Sequence, residues 1–162
     1  MSSPSSTLIT SRGEFHAALR LAFAEAAASG SRELWLADED FADWPLGERA
    51  VVEQLTQWAA SSRKMVLLAR HFDEVSRRHA RWVEWRRQWS HIVECRTNNE
   101  LEAGAMPKLL IASGATSVRL SDAVHYRGRV GTDRADELRS KELVDAVLQR
   151  SEEAFPATTT GL

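Results

Sequence analysis

The sequence predicts an α/β domain with a mixed, mostly parallel sheet and helices on both faces. Three observations carry this. Short apolar runs of strand length alternate with longer stretches of helical periodicity between residues 34 and 96. That strand–helix–strand–helix–strand order is how parallel strands joined by crossover helices read in sequence. A chain of 162 residues is long enough to bury one core, and 43% hydrophobic with 27% charged residues is an ordinary globular composition.

Ser11-Arg12-Gly13-Glu14 opens the first helix as a capping box, in which the Ser oxygen accepts from first-turn N–H groups and Glu14 reaches back. Phe15, Leu19, Ala22 and Ala26 follow at helical spacing, and Ser29-Gly30 ends the helix. Leu34 to Ala37 reads as a buried strand. An acidic loop follows with Asp38, Glu39, Asp40 and Asp43, and Val51, Leu55, Trp58 and Ser62 mark one face of a second helix. Met65 to Leu68 is the clearest buried strand. A third helix is expected from about His71 to Trp89, with Phe72, Val75, His79, Trp82 and Trp89 inward and Trp85 beside that stripe. Strands at Ile92 to Arg96, Leu109 to Ala112 and Ser117 to Leu120 come next, the last two joined at Ser113-Gly114 as a hairpin on a mixed edge. A final helix is expected near Ser140 to Phe155, stopped by Pro156. The domain is thus expected over 11–155, with a disordered N-terminus over 1–10 and a C-terminal tail over 156–162.

Lys and Arg total 21 against 23 Asp and Glu, a net charge of -2. Such a balance supplies no global field for an anionic polymer or surface, so nucleic acid is disfavoured as a partner. No apolar stretch reaches the roughly 18 residues that a membrane span needs, so no membrane is expected. Met1 to Thr10 carries no charge and no long apolar run, unlike a secretory signal. Cys95 is the only cysteine, so no internal disulfide forms and a cytoplasmic location is expected.

Asp38-Glu39-Asp40 at the end of a strand is where α/β enzymes place ligand groups, and carboxylates there suit Mg²⁺. The competing account is a solvated loop whose Asp side chains cap turns, and it is favoured. Arg77, Arg78, Arg81, Arg86 and Arg87 interleave with tryptophans on the third helix, as in phosphate-binding surfaces. Trp82 and Trp89 fall on the inward stripe, however, so a solvated basic face is favoured. His16, His71, His79, His91 and His125 have no zinc-type spacing, and no Gly-rich phosphate loop or nucleophile elbow is present. No metal and no cofactor are expected.

Met106-Pro107-Lys108-Leu109-Leu110-Ile111-Ala112-Ser113, followed by Ser117 to Leu120, resembles the His-x-Lys-x4-Asp region of phospholipase D-like domains. The order of elements, and Gln57 to Arg63 before the second strand, are similar to uncharacterised bacterial members. The resemblance covers about residues 11–155 and implies a single phospholipase D-like half. It implies a His nucleophile at position 106, where this chain has Met, and an Asp at 113, where it has Ser; only Lys108 is kept. A thioether is neither a nucleophile for a phosphodiester nor a general acid or base. His125-Tyr126-Arg127 offers a later His-x-Arg, but Thr132 stands where the Asp is required.

The expectation is therefore a non-catalytic binding or assembly domain with no catalytic residue. A low-affinity phosphate-type cleft is expected from Lys108, Ser113 and His125. The alternative is a phosphodiesterase or nuclease with a site rebuilt from His125, Lys108 and the acidic loop. Because such enzymes pair two halves, and because Trp44 and Trp85 are hard to place inside, a homodimer or another protein partner is expected.

Overall fold

The computed structural model describes residues 6–60 and 63–155. Pro156, Ser61 and Ser62, the C-terminal tail and residues 1–5 of the expected loose N-terminus lie outside the described residues. The elements are β1 (Ser6–Ile9), α1 (Arg12–Ser29), β2 (Glu33–Ala37), α2 (Arg49–Trp58), β3 (Lys64–Ala69), α3 (Asp73–Arg78), α4 (Ala80–Gln88), β4 (Val93–Thr97), β5 (Lys108–Ala112), β6 (Thr116–Asp122), β7 (Arg127–Gly131), α5 (Arg134–Leu148) and β8 (Glu152–Glu153).

They form one eight-stranded sheet in the order β1-β7-β6-β5-β2-β3-β4-β8. The α/β class holds, but the sheet is mostly antiparallel. Only β2–β3 and β3–β4 pair parallel; the other neighbours, β5 against β2 included, run antiparallel. The crossover pattern between residues 34 and 96 describes the parallel part correctly. It is silent about β1, β7 and β8, which have no apolar alternation to betray them. Ser6–Ile9, placed by the sequence in a loose terminus, is an edge strand whose Ile9 is buried beneath the sheet.

Local chemistry fixes the ends of α1. The Ser11 hydroxyl accepts the Glu14 N–H at 3.1 Å, while the Glu14 carboxylate accepts the Thr10 N–H at 2.7 Å, one residue upstream of a standard capping box. Gly30 closes the helix in the left-handed region at φ 70°, its N–H donating to the Ala26 carbonyl. The expected third helix is two helices, α3 and α4, because His79 leaves helical geometry at φ -125° and ψ 50°. Its buried Nε2 lies 2.7 Å from the Phe41 carbonyl oxygen, and Gly47 packs directly on its Cα, so the acidic loop and the break are built against each other. The final helix starts six residues earlier than expected and ends at Leu148, and Glu152 and Glu153 then pair with β4 as β8.

Helices α1 to α4 cover one face over the larger core; α5 covers the other over a smaller one of Trp35, Val66, Leu68, Met106, Leu109, Ile111 and Val144. Trp82 is fully buried, as expected, while Trp89 is only partly so. Trp44 and Trp85 are buried core residues, stacked edge-on or tilted against Phe41 and Trp82. Their burial removes one of the two grounds for the homodimer expectation, the exposed tryptophans, and leaves the other, the pairing of two halves that the resemblance implies.

Candidate functional site

At one end of the sheet the C-termini of β2 and β3 meet the N-terminus of β5. Antiparallel register sets Ala37 opposite Leu109, so the residues just beyond, Asp38 and Lys108, face each other across the strand ends. Lys108 lies on the α1 side and Met106 on the α5 side. Lys108 Nζ stands 3.0 Å from Asp38 Oδ1 as an ion pair. Asp38 is 1% exposed, and the ammonium group also sits 5.9 Å from the Phe15 ring. The other carboxylate oxygen, Oδ2, accepts the Phe41 N–H at 2.8 Å and the Asp40 N–H at 3.3 Å. Phe41 takes a left-handed φ of 60°, so this carboxylate holds a tight loop as well as a cation.

The other acidic residues are likewise engaged within the chain. Glu39 pairs with Arg70 and accepts the Gly104 N–H; Asp40 accepts the Ala42 N–H. Asp43 accepts from the Tyr126 hydroxyl and from Arg12 Nε at 2.8 Å, with His16 Nε2 at 3.4 Å. Burial alone would raise the Asp43 carboxyl, but the Tyr126 hydroxyl and the Arg12 guanidinium together hold it below the usual carboxylate range. The same hydrogen bond raises the Tyr126 phenol. Among the described residues no group of three acidic, His or Cys side chains is arranged to hold a metal ion.

The structure does not gather Lys108, Ser113 and His125 into one cleft. Ser113 is five residues along β5, about 17 Å away at the extended rise per residue, where its hydroxyl accepts the Glu33 N–H. His125 is exposed at the tip of the β6–β7 hairpin, with Nδ1 2.8 Å from Asp122 Oδ2. Its neighbour Tyr126, in the left-handed region at φ 53°, is the residue that turns inward against Phe15 and Asp43. Sequence spacing pointed at the histidine; only the hairpin geometry selects the tyrosine. Met106 is 7% exposed and packs in the smaller core. Cys95 is buried, which pushes its thiol up to about 11 despite the Arg86 Nε–H donated to its sulfur. An inert thiol follows.

The arginines of α3 and α4 are largely committed. Arg77 and Arg78 pair with Glu74, Arg87 with Glu84, Arg81 donates to the Gly47 carbonyl, and Arg86 is buried against Cys95 and the Phe155 ring. A different group of arginines is not so committed. Arg119 on β6 and Arg129 on β7 are directly opposite in register, and Arg127 lies two residues along β7. They line an open groove of about 330 Å³ with Leu8, Thr10, Ser121 and Gly128. Among the described residues their only ion pair is the long 3.9 Å contact of Arg129 with Asp136.

No family model matches the sequence, and no curated protein matches it. Solved structures do. The chain is similar to TrmBL2, an archaeal chromatin protein described as showing a novel mode of DNA binding, with a TM-score of 0.65 at 14% identity. That match covers 93% of this chain, which spans only about half, 54%, of TrmBL2. It is also similar to NucT from Helicobacter pylori, with a TM-score of 0.59 at 10% identity, covering 92% of this chain and 98% of that one. Nuc from Salmonella typhimurium, a phospholipase D family member, matches with a TM-score of 0.56 at 8% identity, covering 94% and 99%. The fold is therefore phospholipase D-like, as the resemblance implied. The expectation that nucleic acid is disfavoured as a partner is corrected, because a protein of this fold is described as binding DNA. The physical reason is that net charge averages over the molecule and does not report a local cluster such as Arg119, Arg127 and Arg129.

Proposed function

We propose that this chain is a non-catalytic phospholipase D-like domain that binds nucleic acid. One observation carries the first half. The retained Lys108 is locked on the buried Asp38, and Met106, where the nucleophile would stand, is buried in the smaller core on the other face, so the motif region offers neither a nucleophile nor a free phosphate-binding cation. His125, the residue a rebuilt site would need, lies out on the hairpin with Asp122. The DNA binding described for TrmBL2 supports the second half.

Bis-p-nitrophenyl phosphate, incubated with the protein with and without Mg²⁺, tests the absence of catalysis. The expected result is no p-nitrophenolate above a buffer blank. Turnover that disappears in His125→Ala would establish the rebuilt-site hydrolase instead.

A further inference from the structure

We infer that the open sheet face carrying Arg119, Arg127 and Arg129 is an anion-binding surface for the phosphate backbone of nucleic acid. It is distinct from the Lys108 end and lies on the opposite face of the sheet. This rests on the binding-domain reading and deepens it by naming the surface.

The register dictates the arrangement. Leu8 pairs with Arg129, Arg129 with Arg119, and Arg119 with Leu109, so the row crosses β1, β7, β6 and β5 on the side that α5 covers. Helix α5 reaches Leu109 but leaves the outer part open; Leu8 is 66% exposed, and Arg127 and Arg129 are exposed. Like charges directly opposite on antiparallel strands destabilise the pair unless something neutralises them. The protein supplies little neutralisation: Asp136 at 3.9 Å from Arg129, and Glu14 within electrostatic range of Arg127. Arg119 lines the groove, and its buried Nη1 has no hydrogen-bond partner among the described residues, so the chain does not take up that donor itself.

Spacing favours a chain of phosphates over a single anion. Arg127 and Arg129 lie about 6.8 Å apart at the antiparallel rise, comparable to successive phosphates along one nucleic-acid strand. Among the described residues no aromatic ring lines the groove, so they offer bases nothing to stack on. Guanidinium groups that grip phosphates without reading base edges give binding that is sequence-independent and strongly salt-dependent.

The test is fluorescence anisotropy of a labelled 20-nucleotide single strand, titrated with the intact chain at several salt concentrations. Three neutralised phosphates predict a slope of log K against log salt of about -2, from roughly 0.7 per phosphate on single strands. Arg119→Gln, Arg127→Gln and Arg129→Gln should each flatten it by about 0.7. The triple variant should lose at least about tenfold in affinity at low salt without any fall in its urea midpoint. Arg77→Gln, on the self-paired helix, should change neither. Wild-type binding that survives the triple substitution would overturn this surface and leave the binding-domain reading standing. No wild-type binding to the oligonucleotide would overturn both. Binding to anionic lipid vesicles but not to the oligonucleotide would assign the arginines to a membrane surface and overturn the inference.

Discussion

Asp38 is almost wholly removed from water, and its charge is answered by a single ammonium group, that of Lys108. A buried pair of this kind adds little net stability, but removing one partner strands the other. Lys108→Ala should therefore destabilise the fold by roughly 3–5 kcal/mol in urea unfolding, because an uncompensated buried carboxylate remains. Lys108→Met combined with Asp38→Asn should recover part of that loss, since neither charge is left to desolvate. If Lys108→Ala left the midpoint unchanged, the lysine would be a solvent-facing group available to a ligand. Its place in the motif was legible in the sequence. Its partner was not: Asp38 sits seventy residues upstream, and only the β2–β5 register makes the two meet.

Among the elements, the β6–β7 hairpin depends most on one residue. A Cβ on Gly128 would stand 2.0 Å from the Arg119 carbonyl oxygen and 2.7 Å from the Leu120 Cα, beside the register shift between Leu120 and Asp122. The close approach of β7 to β6 thus requires glycine. Gly128→Ala should cost about 1–3 kcal/mol, as overpacking against immovable backbone does, while Gly13→Ala, with open space around it in α1, should cost nothing. Equal urea midpoints for the two variants would mean that the strands can part there freely. The same hairpin shows where sequence pattern stops. Arg-Gly-Arg-Val-Gly has neither the alternation nor the apolar content of a strand, so the pattern predicts no β7 and Arg127 enters only as the end of a His-x-Arg, whereas the apolar runs of β2, β3 and β5 are plain. The His79 break was hidden too. Its apolar stripe runs on through the break, and the cause is a carbonyl of the acidic loop.

At the scale of the whole molecule, the sheet separates two kinds of surface. One end, under α1 and the acidic loop, has its charges paired internally: Lys108 with Asp38, Arg12 and Tyr126 with Asp43, Arg70 with Glu39. The opposite face, beyond the reach of α5, presents arginines with little internal compensation. Among the described residues no helix is long and apolar enough to cross a membrane. On the proposed reading, the phospholipase D-like scaffold keeps Lys108 as the structural partner of Asp38 and uses the outward-facing arginines to hold phosphates without cutting them. The most direct test is a labelled single-stranded oligonucleotide incubated with excess protein at low salt, with and without Mg²⁺. It is then resolved for retardation on a native gel and for length on a denaturing one. Retarded and full-length strand is the predicted result; shortened strand, at any degree of retardation, would contradict it.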